Sequence, residues 1–322
     1  MEMNKNSKFF RFLDAQCLFF FEVSTGIIAN IILLLLYMLI FLLQHRPKPI
    51  DLTITHLLFI HIIMLVTVCL IALDIFGYQD LGNDITCKCV IYLHRLMRGL
   101  SICTTCLLSV LQAITLSPRS SHLAKFKQKS LHQNLYCLLF LWVINMLISG
   151  RFLISTIATP NGTSHKLMFV TKSCSLWPIN YLLKYITFSL MTFQEISVIS
   201  LMGLSSVYMV ILLYRYKRQL QYLHSTNLSP KASPEQRATQ TILLLMSVFI
   251  VIYAMDCVIT STSGVFWKHN QIHHCVLMLI GNGYATISPL VLISTKKQMT
   301  KCSASTFWKI VNVCLFSDGK FL

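Results

Sequence analysis

The chain has 322 residues, of which 55% are hydrophobic and 12% are charged. Soluble domains carry about 25% charged residues, so this composition excludes an ordinary soluble domain and indicates a membrane protein. The formal net charge of +16 does not indicate nucleic acid binding, because Lys and Arg in a membrane protein collect in its cytoplasmic loops.

Residues 1–16 are polar, and the apolar run after them is too long for a cleavable secretory signal and lacks a small-residue cleavage site. We therefore expect that run to be the first membrane-spanning helix. A crossing needs about 20 apolar residues, and seven segments meet this requirement. The predicted fold is an all-α, seven-helix membrane bundle that forms one domain over 1–322, with a cytoplasmic tail at 294–322. The predicted spans are 19–43, 53–73, 87–116, 135–157, 182–214, 238–263 and 273–293.

The basic residues predict which side of the membrane each loop faces. If the N-terminus lies outside, the cytoplasmic segments hold twice as many Lys and Arg residues as the outer segments, which favours this orientation and places the C-terminus inside. The glycosylation sequon at Asn161 then lies outside, in the loop after the fourth span, whereas the sequon at Asn227 lies inside and is expected to stay unmodified.

Cysteines near the outer ends of the spans are candidates for a disulfide. Cys87 begins the third span and faces the same compartment as Cys174, where disulfides persist. Cys89 and Cys275 are nearby alternatives, so the spacing alone does not fix the pairing. The Cys103–Cys106 pair has redox-motif spacing, but it lies in an apolar helix and is interpreted as packing.

Polar residues recur along one face of the third span at helical spacing. Hydroxyl, amide and guanidinium groups do not face lipid, so this face is expected to point into the bundle. Arg95 lies about one turn from the mid-membrane Arg98. The residues on this face are His94, Arg98, Ser101, Thr105, Ser109 and Gln112.

Acidic partners for these cations lie in other spans. Glu195 is in the fifth span and Asp256 in the sixth, and we expect Arg98 to pair with one of them, since a lone charge at mid-bilayer costs several kcal/mol. Such residues either fix helix register as buried ion pairs or line a polar cavity open to the outside. His56 and His61 of the second span are expected to be hydrogen-bonded interior residues. The candidate ligand-binding residues are His94, Arg95, Arg98, Glu195 and Asp256.

The third span breaks at Ser117-Pro118, because proline and the residue before it disfavour helix. Arg119 and the lysines after it either contact anionic headgroups or form a surface for a cytoplasmic partner. The sequence contains no Gly-rich phosphate loop, His-Glu-x-x-His motif or serine elbow, so no enzyme activity, cofactor or metal site is expected.

Several segments carry a specific family resemblance that covers nearly the whole chain in order. They are SVLQAITLSPRSSHLAKFK (109–127), GLSSVYMVILLYRYKRQLQYLH (203–224), SPEQRATQTILLLMSVFIVIYAMD (233–256) and GNGYATISPLVLIST (281–295). With them the chain resembles the vomeronasal type 1 receptors, which are seven-helix G-protein-coupled receptors of the pheromone-sensing epithelium. It lacks the Asp/Glu-Arg-Tyr and Asn-Pro-x-x-Tyr motifs of rhodopsin-like receptors, so their switch residues are not carried over.

This resemblance implies a multi-pass plasma-membrane receptor that binds small, volatile or steroid-like chemosignals in the bundle and activates an inhibitory-type heterotrimeric G protein. It also implies a Cys87–Cys174 disulfide and an outer-loop glycan on Asn161. Relatives often carry an acidic residue at the position of Glu195. The residues expected to face the G protein are Gln112, Ser117, Pro118, Arg119, Arg215, Lys217 and Arg218.

Two other kinds of membrane protein are alternative interpretations of the sequence. A bitter-taste-type receptor belongs to the same class, but the end of the third span argues against it. A channel or transporter also needs a polar interior, yet it favours internal repeats and broken helices near mid-membrane, and neither is evident in the sequence.

Overall fold

The computed structural model describes residues 2–43, 49–79, 81–118, 131–158, 168–169, 171, 173–176, 181–223, 243–256 and 271–295. Its longer helices correspond to the seven predicted spans. They are α1 (Glu2–Leu43), α2 (Pro49–Phe76), α3 (Asp84–Leu116), α4 (Leu131–Ser149), α6 (Tyr181–Leu223), α7 (Leu243–Asp256) and α8 (Gln271–Thr295). A one-turn helix, α5 (Arg151–Ser155), follows α4.

Within the described ranges, six segments are long and apolar enough to cross a membrane. They lie in α1, α2, α3, α6 and α8 and in the segment made by α4 with α5. The seventh, α7, is a shorter apolar helix, and the rest of the predicted span 238–263 lies outside the described residues. The predicted fourth span 135–157 overlaps the candidate membrane span His132–Ser155, within which a turn at Gly150 separates α4 from α5, and residues 156–158 form a strand.

Apolar side chains cover the outside of the bundle. Phe140 and Leu147 of α4 and Phe193 and Leu204 of α6 are all exposed. Polar residues such as Asn30, Ser101 and Thr105 are buried instead. This pattern is the reverse of a soluble protein and is typical of helices whose outer faces contact lipid.

The central element is α3, which packs against α2, α4 and α6. Its core contacts include Leu100, Ile102 and Leu108. It ends as predicted before Pro118: Ser117 has extended backbone angles (φ −57°, ψ 134°), and its amide donates to the carbonyl oxygens of Ala113 and Ile114.

A small antiparallel sheet, which the sequence did not predict, lies beside one end of α3 in the otherwise helical fold. Its strands are β1 (Thr156–Ala158), β2 (Met168–Phe169) and β3 (Cys174–Leu176), in the order β1-β3-β2. Thr156 is opposite Leu176 in the first pair, and Met168 is opposite the same residue in the second. Strands of two or three residues are too short for alternation of side chains to reveal them in the sequence.

A disulfide joins this sheet to α3 and defines what we call the disulfide end of the bundle. Cys87 and Cys174 are bonded, with 5.8 Å between their Cα atoms. The alternatives Cys89 and Cys275 are both free thiols. The pairing implied by the family resemblance is therefore confirmed.

Two aspartates add non-covalent anchors at the same end. Buried Asp74 of α2 accepts hydrogen bonds from the Ser173 amide (3.1 Å) and hydroxyl (2.6 Å) and from the Leu81 amide (3.3 Å). Asp84 of α3 accepts one from the Ala158 amide of β1 (3.0 Å). Charged acceptors make strong hydrogen bonds, so the sheet is held by α2 and α3 independently of the disulfide.

Candidate functional site

The polar face of α3 points into the bundle, as predicted. Ser101, Thr105, Ser109 and Gln112 are all buried. The Ser101 hydroxyl lies 3.0 Å from His61 Nε2, a hydrogen bond that ties α3 to α2. The helical spacing of these residues was therefore a sufficient signal for which side of α3 is interior.

Arg98 forms an ion pair with Asp256 of α7, one of its two predicted partners. The other candidate, Glu195 of α6, instead accepts a hydrogen bond of 2.5 Å from the Tyr253 hydroxyl. Tyr253 and Asp256 are three residues apart, so they project from the same face of α7. One turn of α7 thus contacts charged residues of both α3 and α6.

Cavities lie on both sides of Arg98. The first, which we call the α4-side cavity, lies among α3, α4 and α6. The second, the α8-side cavity, lies among α2, α3, α7 and α8, and each has a volume of about 30 Å³ in this packing. Arg98 and Ile102 line both. About 10–15 Å³ suffices for one water, so in this packing each space admits one or two waters, and a ligand enters only if the surrounding helices move apart.

The α4-side cavity also has polar groups that the sequence patterns did not reveal. Gln194 Nε2 donates to the Asn145 side-chain oxygen (3.0 Å) and to Cys103 Sγ (3.2 Å). Asn145 Nδ2 also lies 3.6 Å from Cys103 Sγ. An amide inside an apolar span is itself a signal of an interior position, and applying that rule to α4 and α6 would have found both residues.

Arg95 and Glu195 bring opposite charges to the wall of the α4-side cavity. The guanidinium of Arg95 lies 5.3 Å from the centre of the Phe152 ring, a cation–π distance. No ion pair involves Arg95 among the residues that the structure describes. His94 lies close by on α3, with its Nδ1 3.4 Å from the Thr67 hydroxyl, and does not line either cavity.

The two histidines of α2 are interior hydrogen-bonded residues, as predicted. His61 is fully buried, and its Nδ1 lies 3.3 Å from the Ser288 hydroxyl of α8. His56 Nε2 accepts a hydrogen bond of 2.8 Å from the Trp142 indole of α4. These two histidines connect α2 to its neighbouring helices. Their contacts lie further from the disulfide end of the bundle than the Arg98–Asp256 ion pair does.

The end of α3 opposite the disulfide packs against α6. Ser109 shares a hydrogen bond with Ser205, and Ser117 lies 3.1 Å from the Tyr208 hydroxyl. Gln112 and Ser117 are buried, so neither presents its side chain at the surface of this packing arrangement.

The remaining candidates for contact with a G protein lie at the ends of α3 and α6. Pro118, Arg215 and Arg218 are exposed. Lys217 belongs to α6, but the structure does not describe its side chain. Arg119 and Asn161 lie outside the described residues.

Comparison with known proteins identifies relatives of the whole chain. The model of the vomeronasal organ pheromone receptor family matches residues 13–305. Vomeronasal type-1 receptor 90 of Rattus norvegicus is 47% identical over 310 residues, which cover 96% of this chain and 100% of the relative. Vomeronasal type-1 receptor 40 of Mus musculus is 46% identical over 311 residues, covering 97% and 100%. The chain therefore belongs to the vomeronasal type-1 receptor family and is a chemosensory, multi-pass plasma-membrane receptor rather than an enzyme.

Proposed function

We propose that this receptor binds a small, volatile or steroid-like pheromone inside the helix bundle, beside Arg98, and responds by activating an inhibitory-type G protein. The observation that carries the proposal is the Arg98–Asp256 ion pair with a cavity on either side of it. An ionisable residue within a membrane span is costly unless it has a partner or a function, and Arg98 has a partner and borders space that a small movement of the helices would widen.

The proposed topology has the N-terminus outside, the C-terminus inside and one seven-helix domain over 1–322, followed by a tail from 294. The disulfide supports it, because disulfides persist on the extracellular side of the plasma membrane. The excess of Lys and Arg at the opposite ends of the helices agrees with this orientation. In this topology the Asn161 sequon lies outside, and the candidate ligand-binding residues occupy the outer half of the bundle.

The proposed switch is a change of partner by Arg98. A ligand shifts a receptor toward a second packing only if it binds that packing more tightly. A polar ligand that competes for Arg98, or for the Glu195–Tyr253 hydrogen bond, meets this condition because it weakens contacts that fix α7 against α3 and α6. His94 and Arg95 complete the candidate ligand-binding set on α3.

The inner ends of α3 and α6 then transmit the change. Their contacts include two hydroxyl pairs, Ser109 with Ser205 and Ser117 with Tyr208, and an apolar cluster between Ala113 and Leu116 of α3 and Met209 and Leu212 of α6. None of these contacts involves a charged side chain, so the helices separate without leaving a charge unpaired. Parting these helices uncovers Gln112 and Ser117 next to the exposed Arg215. Pro118, Arg119, Lys217 and Arg218 complete the proposed set that faces the G protein, and its four basic residues suit an acidic patch on that partner.

The first test is guanine-nucleotide exchange on purified inhibitory-type heterotrimer, using membranes that display the receptor and a panel of small volatiles and steroids. We expect at least one compound to accelerate exchange in a dose-dependent way. Membranes from cells without the receptor give the background. A ligand-gated current with no acceleration of exchange would contradict the proposal and favour a channel.

A further inference from the structure

Gly281 of α8 lies directly against the Arg98–Asp256 ion pair and lines the α8-side cavity with it. A methyl group placed on Gly281 would lie 3.1 Å from Arg98 Nη1 and 3.2 Å from Asp256 Oδ1. Both distances are tighter than nearly all real contacts of a Cβ atom. A side chain at this position therefore shifts one member of the pair, or α8 itself, by a few tenths of an ångström.

The position of α8 is fixed close to Gly281. The Ala285 carbonyl, one turn further along, accepts a hydrogen bond of 2.9 Å from the fully buried Asn30 of α1. Ser288, one more turn along, contacts His61 of α2. Because α1 and α2 hold α8 in this way, we expect the charged side chains rather than the helix to give way.

We propose that Gly281 is a positioning residue for the ion pair: by lacking a side chain it lets α8 pack against both charged groups, so that one contact sets the spacing of α3, α7 and α8. Motion of α8 toward the cavity then strains the pair, and motion away from it opens the pair to the cavity. Arg98 and Asp256 thereby sense the position of α8 through packing, since the hydrogen bond they form within the described residues is with each other.

The chain offers a matched control two residues away. Gly283 is also in the interior of α8, but a methyl group there meets only Glu22 Oε1, at an ordinary 3.5 Å. Both Gly→Ala changes gain the same helix propensity, so a difference between them isolates the contact with the ion pair. We expect Gly281→Ala to melt several degrees below Gly283→Ala when the purified receptors are heated without ligand.

The same comparison in an Arg98→Ala/Asp256→Ala background tests whether the contact with the ion pair causes the melting difference. With both charged side chains truncated, the added methyl has nothing to displace, and the difference between the alanine variants at 281 and 283 should disappear. A difference that persists in this background would overturn the proposal. If Gly281→Ala alone is not displayed at the surface, its recovery in the background supports the proposal, and continued failure contradicts it.

A signalling measurement adds a second arm, which rests on the proposed function. We expect Gly281→Ala to raise ligand-independent nucleotide exchange over Gly283→Ala, because it favours the packing with the pair broken. The melting comparison requires neither ligand nor G protein. Suppose that the melting difference between the alanine variants at 281 and 283 disappears in the double-alanine background, but that no variant accelerates exchange. This result would reject the proposed function and leave Gly281 as the positioning residue.

Discussion

Arg98→Ala should abolish the ligand-dependent increase in nucleotide exchange while the receptor still reaches the cell surface. Removing the guanidinium leaves the Asp256 carboxylate without its counter-charge, and breaking a fully buried pair costs about 3–5 kcal/mol. The side chains of Arg98 and Asp256 are 26% and 10% exposed, so water screens the unpaired carboxylate in part. We therefore expect a cost of about 2–3 kcal/mol, which is less than that of a fully buried pair. This is smaller than a total stability of about 5–15 kcal/mol, so folding survives.

The loss of response follows because a ligand has no ion pair left to shift. The measurement is exchange against ligand concentration, normalised to receptor at the surface. Lys88→Ala is the matched control, since Lys88 lies on the same helix and forms a more exposed i,i+4 pair with Asp84, whose side chains are 31% and 47% exposed. Exposed pairs contribute about 0–1 kcal/mol, so this variant should respond like the unaltered receptor. An unchanged ligand potency in the Arg98→Ala variant would contradict the proposed ion-pair switch.

Cys87→Ser and Cys174→Ser are expected to reduce surface display strongly and to the same extent. The disulfide closes a sequence separation of 87 residues, for which a chain-entropy model gives about 4–5 kcal/mol. Helices inserted in a membrane restrict the unfolded chain, so we expect about 2–3 kcal/mol instead. The hydrogen bonds that Asp74 accepts from Ser173 and Asp84 accepts from Ala158 remain, which is why a fraction of the receptor should still fold.

Surface labelling of intact cells measures this effect. Cys89→Ser is the control, because Cys89 is a free, exposed thiol only two residues from the bridge. The double variant Cys87→Ser/Cys174→Ser should be no worse than either single variant, since all three lack the same bond. A double variant that is clearly worse would mean that each cysteine acts separately from the bridge.

The interior face of α3 could be predicted from the sequence because helical periodicity fixes which residues share a face. The end of α3 at Pro118 was also predictable, since proline stops the helix. The partner of Arg98 was not. Whether Glu195 or Asp256 reaches the guanidinium depends on the rotation of α6 and α7 about their axes, which no local pattern determines.

Other parts of the site depend on contacts between distant segments. Tyr253 hydrogen bonds to Glu195 and Gly281 touches the ion pair, but an aromatic residue and a glycine are common in any membrane helix. The three-stranded sheet was missed for a similar reason, because its short strands form through pairing across a loop. In each case the information lies in the packing.

If the ligand binds within the bundle beside Arg98, a bulky side chain placed in that space should block the response. Val198 of α6 lines the α4-side cavity, whereas Leu204 of the same helix is 70% exposed on the outside of the bundle. We would measure nucleotide exchange against ligand concentration for Val198→Trp and Leu204→Trp at equal surface display. We expect Val198→Trp to lose the response and Leu204→Trp to keep it. A response that survives in Val198→Trp with unchanged potency would contradict binding in this cavity.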